Sequence, residues 1–185
     1  MTDITPPHFW RGIKLKELCL KTEPIKLILT DLEAPSFSVT GNYKIYKNDM
    51  NVKNCVGCFG CWLKEPGTCL LKDDSQQFVD DLSRCTEFII VSRCVYGDVS
   101  PFIKKLQDRS LPYLLPFFTI RKKEMHHKIR YNNKFLMSAL FYGDVTDEEK
   151  ETASEIMYRN SLNNNAQIKE IKFFKDSKEL EGVSL

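Results

Sequence analysis

The chain has no apolar run approaching the roughly 18 residues of a membrane-spanning helix, so such a span is not expected. Its opening, Met-Thr-Asp-Ile-Thr-Pro-Pro-His, lacks the basic and apolar segments of a secretory signal. Neither sign of charge dominates: 27 Lys and Arg stand against 25 Asp and Glu, a formal net charge of +2. That balance leaves no electrostatic footprint for a nucleic acid or a membrane surface. Two C-x2-C pairs separated by a long loop, the pattern of a zinc ribbon, are also missing. What is present is a chain of 185 residues, the size of one domain with one core. Seven cysteines without an export signal predict a reducing, cytoplasmic compartment in which no disulfide framework is expected.

Four of those seven cysteines are Cys55, Cys58, Cys61 and Cys69, spaced C-x2-C-x2-C-x7-C. The first three match the tight run that folds round an iron–sulfur cluster. Gly57, Gly60 and Gly67 offer the backbone freedom that a loop curling about a metal needs. All four cysteines are therefore candidate metal ligands. They can equally be packed or merely exposed thiols, since free cysteine is among the most buried residue types.

Along the chain, strand and helix signals alternate. Residues 25–32 and 43–46 read as strands, and 88–91 as a third, too apolar to be half exposed. A helix is predicted from Asp74, with Phe78, Val79, Leu82 and Cys85 on one face. Ser100 and Pro101 open a second helix as N-cap and first helical residue. Residues 134–142 form a fourth strand. Thr146 and Glu149 make a capping box at the head of a third helix that turns Ala153, Ile156 and Met157 inward. Residues 167–174 are the fifth strand, and the polar stretch 176–185 is predicted to be a frayed tail. This alternation predicts an α/β fold, with a five-stranded parallel sheet covered on both faces and ligands bound at the carboxyl ends of its strands. The domain is expected over 25–175, preceded by an extension over 1–24 that has a helix at 11–22.

Residues 110–134 interrupt this order with an aromatic stretch followed by a basic one, and apolar–polar alternation about Lys122 and Lys123 predicts a hairpin. Its cations suit nicotinamide-cofactor phosphates or a lid, and equally a solvated loop or a dimer contact. His126 and His127, adjacent in a strand, point to opposite faces and are not expected to chelate together.

The ordered series Cys55-Val-Gly-Cys58-Phe-Gly-Cys61, Lys72-Asp73-Asp74, residues 88–91, Ser92-Arg-Cys-Val-Tyr-Gly-Asp-Val-Ser100 and Lys104-Lys-Leu-Gln-Asp108-Arg109 resembles the flavodoxin-like NAD(P)H-dependent FMN reductase family. The likeness is to its cysteine-bearing branch, which includes the iron–sulfur flavoproteins. It is good over about 52–110 and elsewhere extends only to the order of elements. It implies a three-layer flavodoxin-like fold and an oxidoreductase or electron-transfer flavoprotein using FMN and NAD(P)H or a redox partner protein. It also implies a homodimer. Ser92, Tyr96, Gly97 and Ser100 would be cofactor-binding residues, with Tyr96 at the flavin and Gly97 admitting backbone to the ring; Arg93, which departs from the family's proline, is a further cofactor-binding candidate that would reach an anionic group at the site. Tyr96-Gly97 also reads as an ordinary strand-end turn. One departure is prominent: residues 33–54 leave no room for the family's phosphate loop and first helix, whose N-terminus would hold an anion. Ser36, Ser38, Thr40, Gly41 and Asn42 offer a small polar nest instead. Two alternatives stand beside the flavoenzyme: an iron–sulfur electron-transfer protein, and a degenerate subunit that no longer binds FMN.

Overall fold

The computed structural model describes residues 25–185; the extension over 1–24, with the helix expected at 11–22, lies outside the described residues. Five strands, β1 (Ile25–Thr30), β2 (Tyr43–Tyr46), β3 (Cys85–Arg93), β6 (Leu136–Tyr142) and β7 (Gln167–Phe174), form one sheet in the order β2-β1-β3-β6-β7. Every pairing in it is parallel. Counted within the sheet, that order is 2-1-3-4-5, the flavodoxin-like doubly wound arrangement, with its topological switch point between β1 and β3. The fold is thus α/β with a five-stranded parallel sheet, as the sequence predicts. Leu27, Ile28, Leu29, Ile90 and Val91 are all buried. These central strands are covered on both faces, so their residues need not alternate in polarity.

The helices α2 (Phe78–Arg84), α3 (Pro101–Asp108) and α4 (Asp147–Asn163) lie on one face. Phe78, Leu82, Phe102, Ile103, Leu106, Ala153 and Met157 pack there against Leu27, Leu29, Ile90 and Met137. No helix joins β1 to β2, and among the described residues the opposite face is covered differently. Phe37 from the β1–β2 connection and Leu180, Val183 and Leu185 from the C-terminus pack on Ile28, Ile89, Val91 and Leu140. Here the expectation of a frayed tail is corrected. Residues Ser177–Leu180 form a 3-10 turn, Leu180 is fully buried, and residues 183–185 exchange backbone hydrogen bonds with Ser38 and Thr40. Three apolar side chains in a polar tail suffice to dock it, because the missing first helix leaves sheet surface to cover.

Local signals largely decide the element ends. α4 carries the expected capping box: Glu149 N–H donates to Thr146 Oγ1 at 3.2 Å, and Thr146 N–H donates to Glu149 Oε2 at 3.0 Å. Thr146→Ala is expected to cost about 1 kcal/mol in a urea titration, because the first turn of the helix loses the acceptor of one of its amides. The helix predicted from Asp74 starts later, at Phe78. Asp73 and Asp74 do not cap it, since their carboxylates accept from Ser75, Lys53 and Asn51 amides instead. Cys85 belongs to the start of β3 rather than to the helix. The hairpin is present as β4 (Leu114–Arg121) and β5 (Glu124–Ile129), antiparallel. Its two-residue turn holds Lys122 and Lys123 at φ 48° and 68°, the left-handed geometry whose twist matches the flanking strands.

Candidate functional site

At the carboxyl end of β3 the chain makes a tight turn rather than an open loop. Val95 and Asp98 exchange both backbone hydrogen bonds, at 2.9 and 3.0 Å, with Tyr96 and Gly97 at φ 52° and 74° between them. Tyr96 projects from the apex and is 91% exposed. Gly97 packs on the first turns of α4: a Cβ there would lie 2.8 Å from Thr152 Cβ and 3.2 Å from the Glu149 carbonyl oxygen. The absence of a side chain at this position therefore serves helix docking. Ser92 is fully buried. Its hydroxyl accepts from Ser100 N–H at 2.9 Å and donates to the Arg93 carbonyl at 2.8 Å, tying the two ends of the turn together.

Ser100 and Pro101 open α3 as predicted, but the Ser100 side chain makes no cap hydrogen bond to the helix. Its Oγ is buried and has no partner among the described residues. A buried hydroxyl left in this state costs about 1–3 kcal/mol, and it lies at the first turn of a helix, where amides also lack intrahelical acceptors. These donors suit the carbonyl and ring-nitrogen edge of a flavin, so the ring half of the cofactor fits the residues present.

The phosphate half does not. In doubly wound folds an anion is held where the turn after β1 runs into a helix N-terminus. Here that turn begins with Asp31 and continues without a helix. Asp31 Oδ2 accepts the Arg93 N–H at 3.0 Å, and Asp31 Oδ1 accepts the Tyr142 hydroxyl at 3.0 Å. One carboxylate thus bridges the ends of β1, β3 and β6. Burial raises the Tyr142 phenol above its ordinary pKa, and the charge and hydrogen bond of Asp31 add to the rise. Sequence reasoning missed Asp31 and Tyr142, although an acidic residue at the end of the first strand was a visible signal.

The cysteine loop is anchored elsewhere. Trp62, on the single turn α1 (Gly60–Leu63), donates Nε1–H to the carbonyls of Leu111 and Leu114 at 3.3 and 3.0 Å. Its ring meets His127, which in turn meets Phe118. His126 faces the other way, toward Asn163. The deepest anchor is an ion pair whose side chains are 1% and 0% exposed, Arg109 Nη1 to Asp73 Oδ2 at 2.5 Å. Arg109 also donates to the carbonyls of Lys53 and Leu71 and to Cys69. Burial alone would raise the Asp73 pKa, but hydrogen bonds from Arg109, Ser75 and the Lys53 amide outweigh it and hold the carboxyl at about 2. The paired acid and arginine of the ordered sequence series are therefore a clamp between the loop and the far end of α3 from Ser100.

Cys55 and Cys58 are exposed, Cys61 is buried and Cys69 is half-buried, and all four are free thiols. Burial, reinforced by the charges of Cys69, Cys55 and Cys58, pushes the Cys61 thiol up to about 11, so it is protonated at neutral pH. The sulfurs are near enough to influence one another. Yet among the described residues no three His, Cys, Asp or Glu side chains are placed to hold one metal ion. In this structure Cys61 turns into the core while Cys55 and Cys58 face solvent. Cys55 and Gly57 do share a cavity of about 580 Å³ with Asp98 and Lys104, floored by Phe88, Phe135 and Met137. Thus the loop and the turn after β3 open on a common space.

No family model matches the chain. Over 69 residues it is 33% identical to an iron–sulfur flavoprotein of Methanocaldococcus jannaschii, an alignment covering 37% of this chain and 35% of that protein. The matched stretch thus spans about a third of the length of this curated relative. Among solved structures, an FMN-dependent NADH-azoreductase from Bacillus anthracis, determined in complex with FMN, is similar at 11% identity with a TM-score of 0.43. That alignment covers 80% of this chain and 86% of the other. No helix among the described residues is long and apolar enough to cross a membrane.

Proposed function

We propose that the chain is a flavin-dependent oxidoreductase or electron-transfer flavoprotein, binding its cofactor by the isoalloxazine ring at the turn after β3. The observation that carries this reading is the buried, unpartnered Ser100 hydroxyl at the head of α3, beside the topological switch point. Flavin, when bound, supplies hydride and electron transfer. Ser92 holds the turn closed, Ser100 and the first turn of α3 donate to the ring's polar edge, and Tyr96 supplies an exposed aromatic wall. Where FMN is bound, Arg93 or a neighbouring subunit of a homodimer meets its phosphate, with the Asp31 carboxylate beside Arg93 opposing it. NAD(P)H or a redox partner protein is the reductant in this reading, and the cytoplasm its setting.

The competing reading is a flavodoxin-like subunit that no longer binds flavin. It is favoured by the Asp31 bridge and by the packing of Gly97 on Thr152, which uses the turn for internal contacts. Titration of the full chain with riboflavin and FMN, followed by flavin fluorescence, decides between them. Saturable binding that Ser100→Ala weakens about tenfold, the worth of one or so hydrogen bonds, is the expected result. Absence of binding by either flavin overturns the flavoprotein reading.

A further inference from the structure

We propose that Asp31 is a specificity-determining residue that turns the mouth of this site against phosphate, so that the site takes a phosphate-free flavin in preference to FMN. The inference rests on the flavin reading above and adds the chemical class of the ligand.

The carboxylate lies at the end of β1, next to β3 across the switch point. Ligands of open α/β sheets enter at this crevice outside the carboxyl ends of the strands. An anionic group entering there needs backbone N–H donors and a positive local field. At the ends of β3 and β6, the Arg93 amide and the Tyr142 hydroxyl are already taken by Asp31. The helix whose dipole would favour an anion is absent between β1 and β2. The chain has instead a second acid, Glu33, two residues after the first. Against these stand the Arg93 side chain, whose positive charge reaches Tyr142, and Lys47, whose Nζ donates to the Glu33 carbonyl and pairs with Asp49. Arg93 beside Asp31, and Lys47 beside Glu33 and Asp49, leave no net positive field for a phosphate that carries between one and two negative charges. A neutral ribityl chain meets the same carboxylate on better terms, because its hydroxyls can donate to it.

The test measures riboflavin and FMN affinities for the wild-type chain, Asp31→Asn and Tyr142→Phe. Wild type is expected to bind riboflavin at least tenfold more tightly than FMN, with the gap narrowing as salt is raised. Asp31→Asn, which keeps an acceptor oxygen but removes the charge, is expected to gain about tenfold for FMN while riboflavin changes less than threefold. Tyr142→Phe keeps the charge and should keep the preference. Equal or tighter binding of FMN by wild type overturns the proposal, as does a preference unaffected by salt and by Asp31→Asn. Should neither flavin bind any of the proteins, the flavoprotein reading fails separately. The exclusion of anions is then read with inorganic phosphate through the Arg93 amide resonance. A shift in Asp31→Asn but not in wild type upholds the role of Asp31, and no shift in either overturns it.

Discussion

Replacing Asp73 by alanine is expected to destabilise the chain by about 3–5 kcal/mol, because it leaves the Arg109 guanidinium buried without its counter-charge. Arg109 is 2% exposed overall, and its remaining acceptors are two backbone carbonyls and a thiol. The same pair sets an acid limit. Asp73 has a folded-state pKa near 2, below the ordinary carboxyl value of about 4. Its contribution, of order 2 kcal/mol, is therefore complete above pH 4 and is lost as pH falls from 4 through 2. Urea midpoints across that range check both statements. In wild type the midpoint should fall steeply below pH 4, and in Asp73→Ala that part of the acid dependence should be gone. The double change Asp73→Leu with Arg109→Met should recover much of the loss, since a buried ion pair can often be replaced by apolar groups of similar volume. A single Asp73 variant within 1 kcal/mol of wild type would show that the clamp does not hold the cysteine loop.

The second large effect concerns Gly97. Gly97→Ala must place a Cβ at φ 74°, within 2.8 Å of Thr152 Cβ and 3.2 Å of a helix carbonyl. Left-handed strain and overpacking together are expected to cost about 2–4 kcal/mol. Thermal unfolding should register this as a fall of roughly 5–15 °C. Repeating the substitution in a Thr152→Gly background separates the two causes. The clash with Thr152 should disappear there and leave the contact with the Glu149 carbonyl and the backbone part of about 1–2 kcal/mol. If the turn instead uses Gly97 only to admit a ligand, Gly97→Ala would impair flavin binding without lowering the melting temperature. The structure argues the opposite order: packing first, and any effect on binding through displacement of Tyr96 and Asp98.

These two residues also explain what the resemblance to flavin reductases contains. Part of the ordered series is architectural. Asp73 and Arg109 close the cysteine loop onto α3, and Gly97 lets α4 approach the turn after β3. A chain can keep these features for folding whatever its ligand. In the function proposed above, the parts that bear more directly on chemistry are the buried, unpartnered Ser100 hydroxyl and the Asp31 carboxylate.

The sequence by itself determined whatever depends on neighbours a few residues apart. The period of apolar residues set β1, β3 and β7. Thr146 with Glu149, and Ser100 with Pro101, marked two helix starts, and alternation about Lys122 marked the hairpin. Each of these is an interaction within one turn or one strand pair, so the pattern is legible along the chain. The connection between β1 and β2 was legible too, as a length too short for a helix. Tertiary structure alone decided that Asp31 meets residues 62 and 111 positions away, and that Arg109 meets an acid 36 positions away. It also decided that the polar tail docks through Leu180, and that the crowded cysteines divide between core and solvent. The physical reason is the same in each case. The partner of a buried charge, and the surface left bare for a tail, are set by which chain ends the sheet order brings together, and no local periodicity encodes that juxtaposition.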